Sequence, residues 1–224
     1  MRATAKTILF STSFAFAVIG WISTVRVPQA IAQEAASCTA WDVEYVLAAK
    51  LKLSDTPKGA GDGVYPVGPG TMVIRFAGAD GKAGPAEMRK YTMTQNFRVD
   101  STVLFWKTHV VTASKTTTTP DGQGVVAKGQ VQGKSLKWQT PLAGCRTDGT
   151  LTCDGSLCGK FGAPPPGQSE LHVPPHAVEF QPLTFSDDMK TFSMPSTFVA
   201  KTDNPQQTAH IAISGRETNR TCVK

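Results

Sequence analysis

Between positions 41 and 53 the chain reads WDVEYVLAAKLKL. Trp41, Val43, Tyr45, Leu47, Ala49, Leu51 and Leu53 hold the odd positions, while Asp42, Glu44, Lys50 and Lys52 hold even ones. A period of two sends successive side chains to opposite faces of a strand, so this segment is expected to be a long strand with one wet face and one buried face. Wound into an α-helix, the same apolar residues would be scattered around the whole circumference. Ala48, Ala49 and Lys50 favour helix locally, but pattern outweighs that preference.

Comparable strand-like runs follow at 71–76, 90–99, 102–112, 124–132, 135–142, 177–185, 191–200 and 208–214. In the second of these, Tyr91, Met93, Phe97 and Val99 share a face. The breaks carry turn chemistry: Gly61-Asp62-Gly63, Gly68-Pro69-Gly70, Ala79-Asp80-Gly81, Pro120-Asp121-Gly122, Gln132-Gly133 and Asp187-Asp188. Such a succession of about nine or ten strands predicts an all-β fold, an antiparallel β-sandwich or a closed β-barrel. Two stretches rich in Gly and Pro, 53–70 and 155–175, read as long loops.

The first residues read differently. Arg2 and Lys6 precede an apolar run at 8–22, and Ala30-Ile31-Ala32 offers the small-residue spacing of a signal-peptidase site. Residues 1–32 are therefore expected to be a cleaved secretory signal peptide, and 33–224 a single all-β domain, secreted or periplasmic. The apolar run is short for a bilayer and contains Ser11, Thr12 and Ser13, so no stable membrane span is expected after cleavage. A transmembrane barrel is also disfavoured, because the C-terminal Thr221-Cys222-Val223-Lys224 is not an apolar closing strand. Of the 23 basic residues, Arg2, Lys6 and Arg26 belong to this leader, which holds none of the 17 acids. The remainder is only weakly basic and has no basic run, so no nucleic-acid partner is expected.

All 5 cysteines follow position 32, and export makes disulfides the expected state. Cys153 and Cys158 flank an Asp-Gly turn and close a short loop, while Cys38 and Cys222 would staple the two ends. Cys145 is the odd thiol: a two-residue hairpin turn at Asp148-Gly149 would put Cys145 and Cys153 on opposite faces. The three clustered cysteines lack C-x-x-C spacing, so no metal is expected on them. His172 and His176 could meet one metal ion, but Pro174 and Pro175 remove the helix that would orient them, and an exposed loop pair is the plainer reading. His109 and His210 read as polar-face sheet residues.

Other motifs fail on inspection. Gly59-Ala60-Gly61-Asp62-Gly63 lacks the third glycine and following helix of a dinucleotide site, and 128–135 lacks the first glycine of a P-loop. Asp42 and Glu44 share a strand face, but Lys50 and Lys52 continue it, which describes a solvated face. No G-x-S-x-G elbow occurs, and no cofactor is expected. If the sheet encloses a hollow, Trp41, Tyr45, Tyr91, Met93, Phe97, Phe105 and Trp138 are the expected lining. The sequence thus points to an exported β protein that binds a small ligand, apolar in its most specific form, or a surface partner, without catalysis. A secreted hydrolase or isomerase and a self-associating envelope protein are the alternatives. Its residues leave strand order and oligomeric state open.

Overall fold

The computed structural model describes residues 38–54, 62–78, 82–160, 163–201 and 208–224. The expected leader, Gly59 to Gly61 of the glycine-rich stretch and the Ala79-Asp80-Gly81 turn lie outside them. The described chain is all β: β1 (Ala40–Ser54), β2 (Gly63–Ala77), β3 (Ala83–Val103), β4 (Trp106–Thr117), β5 (Ala127–Gln132), β6 (Ser135–Trp138), β7 (Leu142–Gly155), β8 (Gly167–Val178), β9 (Leu183–Phe185), β10 (Thr191–Lys201) and β11 (Thr208–Val223). These form one sheet of 11 strands in the order β2-β1-β11-β10-β9-β6-β5-β3-β4-β7-β8, and a β2–β3 pairing closes it. All pairings given for it are antiparallel.

The closure divides the sheet in two. Strands β1, β2, β3, β5, β6, β9, β10 and β11 form a ring, whereas β4, β7 and β8 extend a side sheet from the C-terminal half of β3. β3 serves both: Gly70 to Phe76 pair with its Ala86 to Met93 stretch, and β4 pairs with it from Thr92 to Val103.

The alternation in β1 is realised as expected, with Val43, Tyr45, Leu47, Ala49 and Leu51 all buried. The first strand pairs with the last along its length, from Ala40↔Val223 to Ser54↔Thr208. Cys38–Cys222 fastens the end of this seam, and Cys153–Cys158 closes the short loop after β7. Cys145 is free and buried. The core contains Met72, Ile74 and Phe76 from β2, Val131 and Leu136 from β5 and β6, and Leu183, Phe185 and Phe192 from β9 and β10. On the wet face Arg75 makes a bidentate contact to Asp42 at 2.8 and 2.7 Å, so that carboxylate belongs to a cross-strand ion pair.

Several turn and loop expectations are corrected. Asp148-Gly149 is not a hairpin turn but lies within β7, between β4 and β8. A Cβ on Gly149 would come within 2.2 Å of the Ala113 carbonyl oxygen, so this glycine permits close backbone approach rather than a reversal. Gly68-Pro69-Gly70 sits inside β2, where the β1 register shifts between Leu47 and Ala49. The Pro174-Pro175 pair lies within β8, not in a loop. β8 pairs only with β7 at the sheet edge, where a missing N–H donor is tolerated. The expected strand over 102–112 is interrupted by a turn at Leu104-Phe105, because Val103 pairs with Trp106 across a hairpin.

Candidate functional site

One end of the ring is filled. The Tyr45 and Phe192 rings meet nearly edge to face at 5.2 Å, Phe76 and Phe185 at 5.8 Å, and Phe185 and Phe192 at 5.6 Å. Gly215 stands opposite Phe192, and a Cβ there would come within 2.2 Å of its ring. The Tyr45 hydroxyl donates to the Met189 carbonyl at 2.9 Å, so the β9–β10 turn closes over this end. Burial, with Glu217 nearby, pushes the Tyr45 phenol above its ordinary range, so it remains a neutral donor.

The other end is hollow. Where β3 leaves the ring, a cavity of about 210 Å³ opens between the barrel interior and the root of the side sheet. Ala49, Leu51, Tyr91, Met93, Phe97 and Leu142 supply apolar wall, and Gln95, Thr116, Thr147 and His176 supply polar atoms. Its volume lies between the roughly 150 Å³ of a cavity that binds benzene and the roughly 300 Å³ of small drug pockets. A molecule of one or two rings, or a short chain, fits that range.

Cys145 also lines this cavity. Burial pushes its thiol pKa up, so it stays protonated, and its Sγ lies 4.0 Å from the Leu142 carbonyl oxygen. Tyr91 lies close enough to interact with it, and burial, with a smaller contribution from Cys145, raises the phenol too. His176 is the register partner of Cys145, but its Nδ1 contacts the Pro174 carbonyl at 3.0 Å. The arrangement is an apolar receptacle with a few hydrogen-bonding groups along one side.

Of the lining residues expected from sequence, the structure brings Tyr91, Met93 and Phe97 to this cavity. Tyr45 lies in the filled end, while Trp41 and Trp138 pack against the core without lining the cavity. Phe105 is placed elsewhere: it is 80% exposed at the β3–β4 turn, because the chain reverses there instead of continuing as strand. Leu142, Thr116 and Thr147 were not singled out by sequence. Thr116 and Thr147 face one another across the β4–β7 pairing and Leu142 is placed by the pairing of β7 with Val178 of β8, long-range contacts with no local signature.

The remaining histidines of the side sheet lie in surface ion clusters. His109 stands against Asp100, which Arg98 contacts at 2.6 Å. His172 stands 2.7 Å from Asp148, which Arg146 contacts at 2.6 Å. These neighbours hold the Asp100 and Asp148 carboxyls below the usual carboxylate range, the arginine contact being the larger cause in each. Among the described residues, no group of three or more His, Cys, Asp or Glu side chains is placed to hold a metal ion. No described helix is long and apolar enough to cross a membrane. A larger hollow of about 530 Å³, bordered by Val46, Ala48, Gly68, Pro69, Ser214 and Arg216, is an open depression and encloses a ligand less completely.

Fold and site together define an antiparallel barrel with a side sheet and a partly enclosed apolar cavity at their junction. No protein-family model, curated protein or solved structure matches the chain.

Proposed function

We propose that the protein is an exported, non-catalytic binding module for a small apolar molecule carrying one polar group. The observation that supports this reading most strongly is the cavity of about 210 Å³ at the junction of ring and side sheet. A well-packed domain leaves few voids larger than a water molecule, so a hollow of this size is an exception to be explained. Leu51, Met93, Phe97 and Leu142 favour an apolar body, and Gln95, Thr116, Thr147 and His176 offer orienting contacts. Export is supported by the leader-like residues 1–32 and by two disulfides, which persist in oxidising compartments. A thiol enzyme built on Cys145 is the weaker reading. Nucleophilic cysteines occupy electropositive, partly exposed surroundings, whereas burial here favours the neutral thiol.

The test uses 1-aminonaphthalene, an apolar fluorophore with one polar group. Its emission should rise to saturation at one equivalent of protein and be displaced by octanol. Ala49 lines the cavity from β1, so Ala49→Leu should fill it and abolish saturation while leaving the far-ultraviolet spectrum unchanged. Absence of a saturable response in the wild type, or undiminished binding by A49L, would contradict the proposal.

A further inference from the structure

The β3–β4 hairpin turns on Leu104-Phe105, with Trp106 opening the return strand. Leu104 is 82% exposed, Phe105 80% and Trp106 39%. Three consecutive large apolar side chains held in water at the end of a projecting hairpin call for a physical reason. The backbone sharpens the point. Leu104 has φ 58°, in the left-handed region where a hairpin turn favours glycine, asparagine or aspartate. Leucine is strained there, and its side chain makes no buried core in return. The β3–β4 pairing from Phe97↔Thr112 to Val103↔Trp106 carries this tip roughly 20 Å beyond Phe97 in the cavity wall.

Polarity around the tip is graded along its axis. Leu104 and Phe105 form the apex. Trp106 lies one step back, its ring edge to face with Phe105 at 5.8 Å and the Lys160 ammonium 5.4 Å from its centroid. Lys107 follows Trp106, and its carbonyl accepts a hydrogen bond from the Ser156 N–H at 3.3 Å, tying the loop that carries Lys160 to the hairpin. The next acids along these strands, Asp100 and Asp154, are both register partners of His109, and Asp100 is already held by Arg98. Charge nearest the apex is therefore cationic.

We infer that the Leu104-Phe105-Trp106 tip inserts into the surface of a phospholipid bilayer, with Lys107 and Lys160 meeting anionic headgroups. Apolar apex, amphipathic indole and lysine collar follow the order of hydrocarbon, interface and phosphate encountered on entering a membrane from water. A protein partner would need a pocket shaped for this convex tip, and nothing in the graded polarity asks for one. The inference stands apart from the cavity: an empty cavity would leave it intact.

The experiment adds the full chain to vesicles of phosphatidylcholine and phosphatidylglycerol with brominated acyl chains. Trp106 emission, taken as the difference between wild type and Trp106→Phe, should be quenched by the bromines. Both proteins share the same N-terminal segment, so its contribution cancels. Leu104→Gly suits the left-handed backbone and so should fold at least as stably as wild type, yet its vesicle partitioning should fall by about tenfold or more, and Phe105→Ser should fall similarly. Unchanged partitioning of both variants, or no bromine quenching of Trp106, would overturn the inference. Self-association abolished by L104G, without vesicle binding, would also overturn it by assigning the tip to a second copy of the chain.

Discussion

The two ends of the barrel share β1, β2 and β10, yet one is full and the other hollow. At the full end, the Tyr45, Phe76, Phe185 and Phe192 rings interlock, Gly215 makes room for them, and Cys38–Cys222 ties the first strand to the last. At the hollow end, Ala49 and Cys145 supply small side chains, and β3 departs into a sheet contributing Thr116 and Thr147. Alternation decides which side chains face inward. Their sizes, and what closes over them, decide whether the interior is filled. Stability should therefore concentrate at one end and binding at the other.

The largest difference should come from the disulfides. Cys38–Cys222 spans a sequence separation of 184 and Cys153–Cys158 one of 5. Loop-closure entropy assigns them about 5 and about 2 kcal/mol respectively. The double substitution Cys38→Ser with Cys222→Ser should accordingly lower unfolding stability in urea far more than Cys153→Ser with Cys158→Ser, and equal losses would refute the assignment. Next, Phe192→Ala should cost about 3–5 kcal/mol by the same measurement, because it empties the centre of the aromatic cluster. Paired substitutions sharpen the contrast further. Gly215→Ala should destabilise by about 1–3 kcal/mol through overpacking, whereas Ala49→Leu should be stabilising by about 0.5–2 kcal/mol because it fills space. A large loss with A49L would mean that the second end is already packed.

Acid should produce the smallest effect, acting on the side sheet and on the turns that hold Asp121 and Asp188, whose carboxyls are also held below their ordinary range. The Asp100 and Asp148 pKa values are depressed in the fold, so their stabilisation is complete above the ordinary carboxylate value and is lost as pH falls through the lowered native values. Hydrogen-exchange protection of β4, β7 and β8 should decline below about pH 4 while that of β1, β2 and β11 persists. Asp100 is exposed and Asp148 half-exposed, so the loss should be modest and reduced by salt. Simultaneous loss across the whole sheet would break the distinction between ring and side sheet.

Much of the ring was legible because β1 keeps strict alternation, and both disulfides followed from where the cysteines fall. The rest was obscured by identifiable features. In β3, the register shift between Val73 and Ile74 passes over Arg89, so inward positions change from Ala86 and Met88 to Tyr91 and Met93. One extra residue thus reverses parity and hides a single 21-residue strand behind two patterns. Prolines misled in β2 and β8 because a bulged or edge strand can do without a donor. The cavity was half visible: Tyr91, Met93 and Phe97 lie on one alternating face, but Thr147 reaches it through the pairing of β7 with β4 and Leu142 through that of β7 with β8. Phe105 looked inward only while its segment was read as continuous strand.

Xenon pressurisation of crystals tests the central contrast most directly, since xenon enters empty apolar cavities and leaves filled ones untouched. The account predicts one xenon site among Leu51, Tyr91, Met93 and Leu142, and none among Tyr45, Phe76, Phe185 and Phe192. Xenon bound between the aromatic rings, or absent from the junction of ring and side sheet, would contradict it.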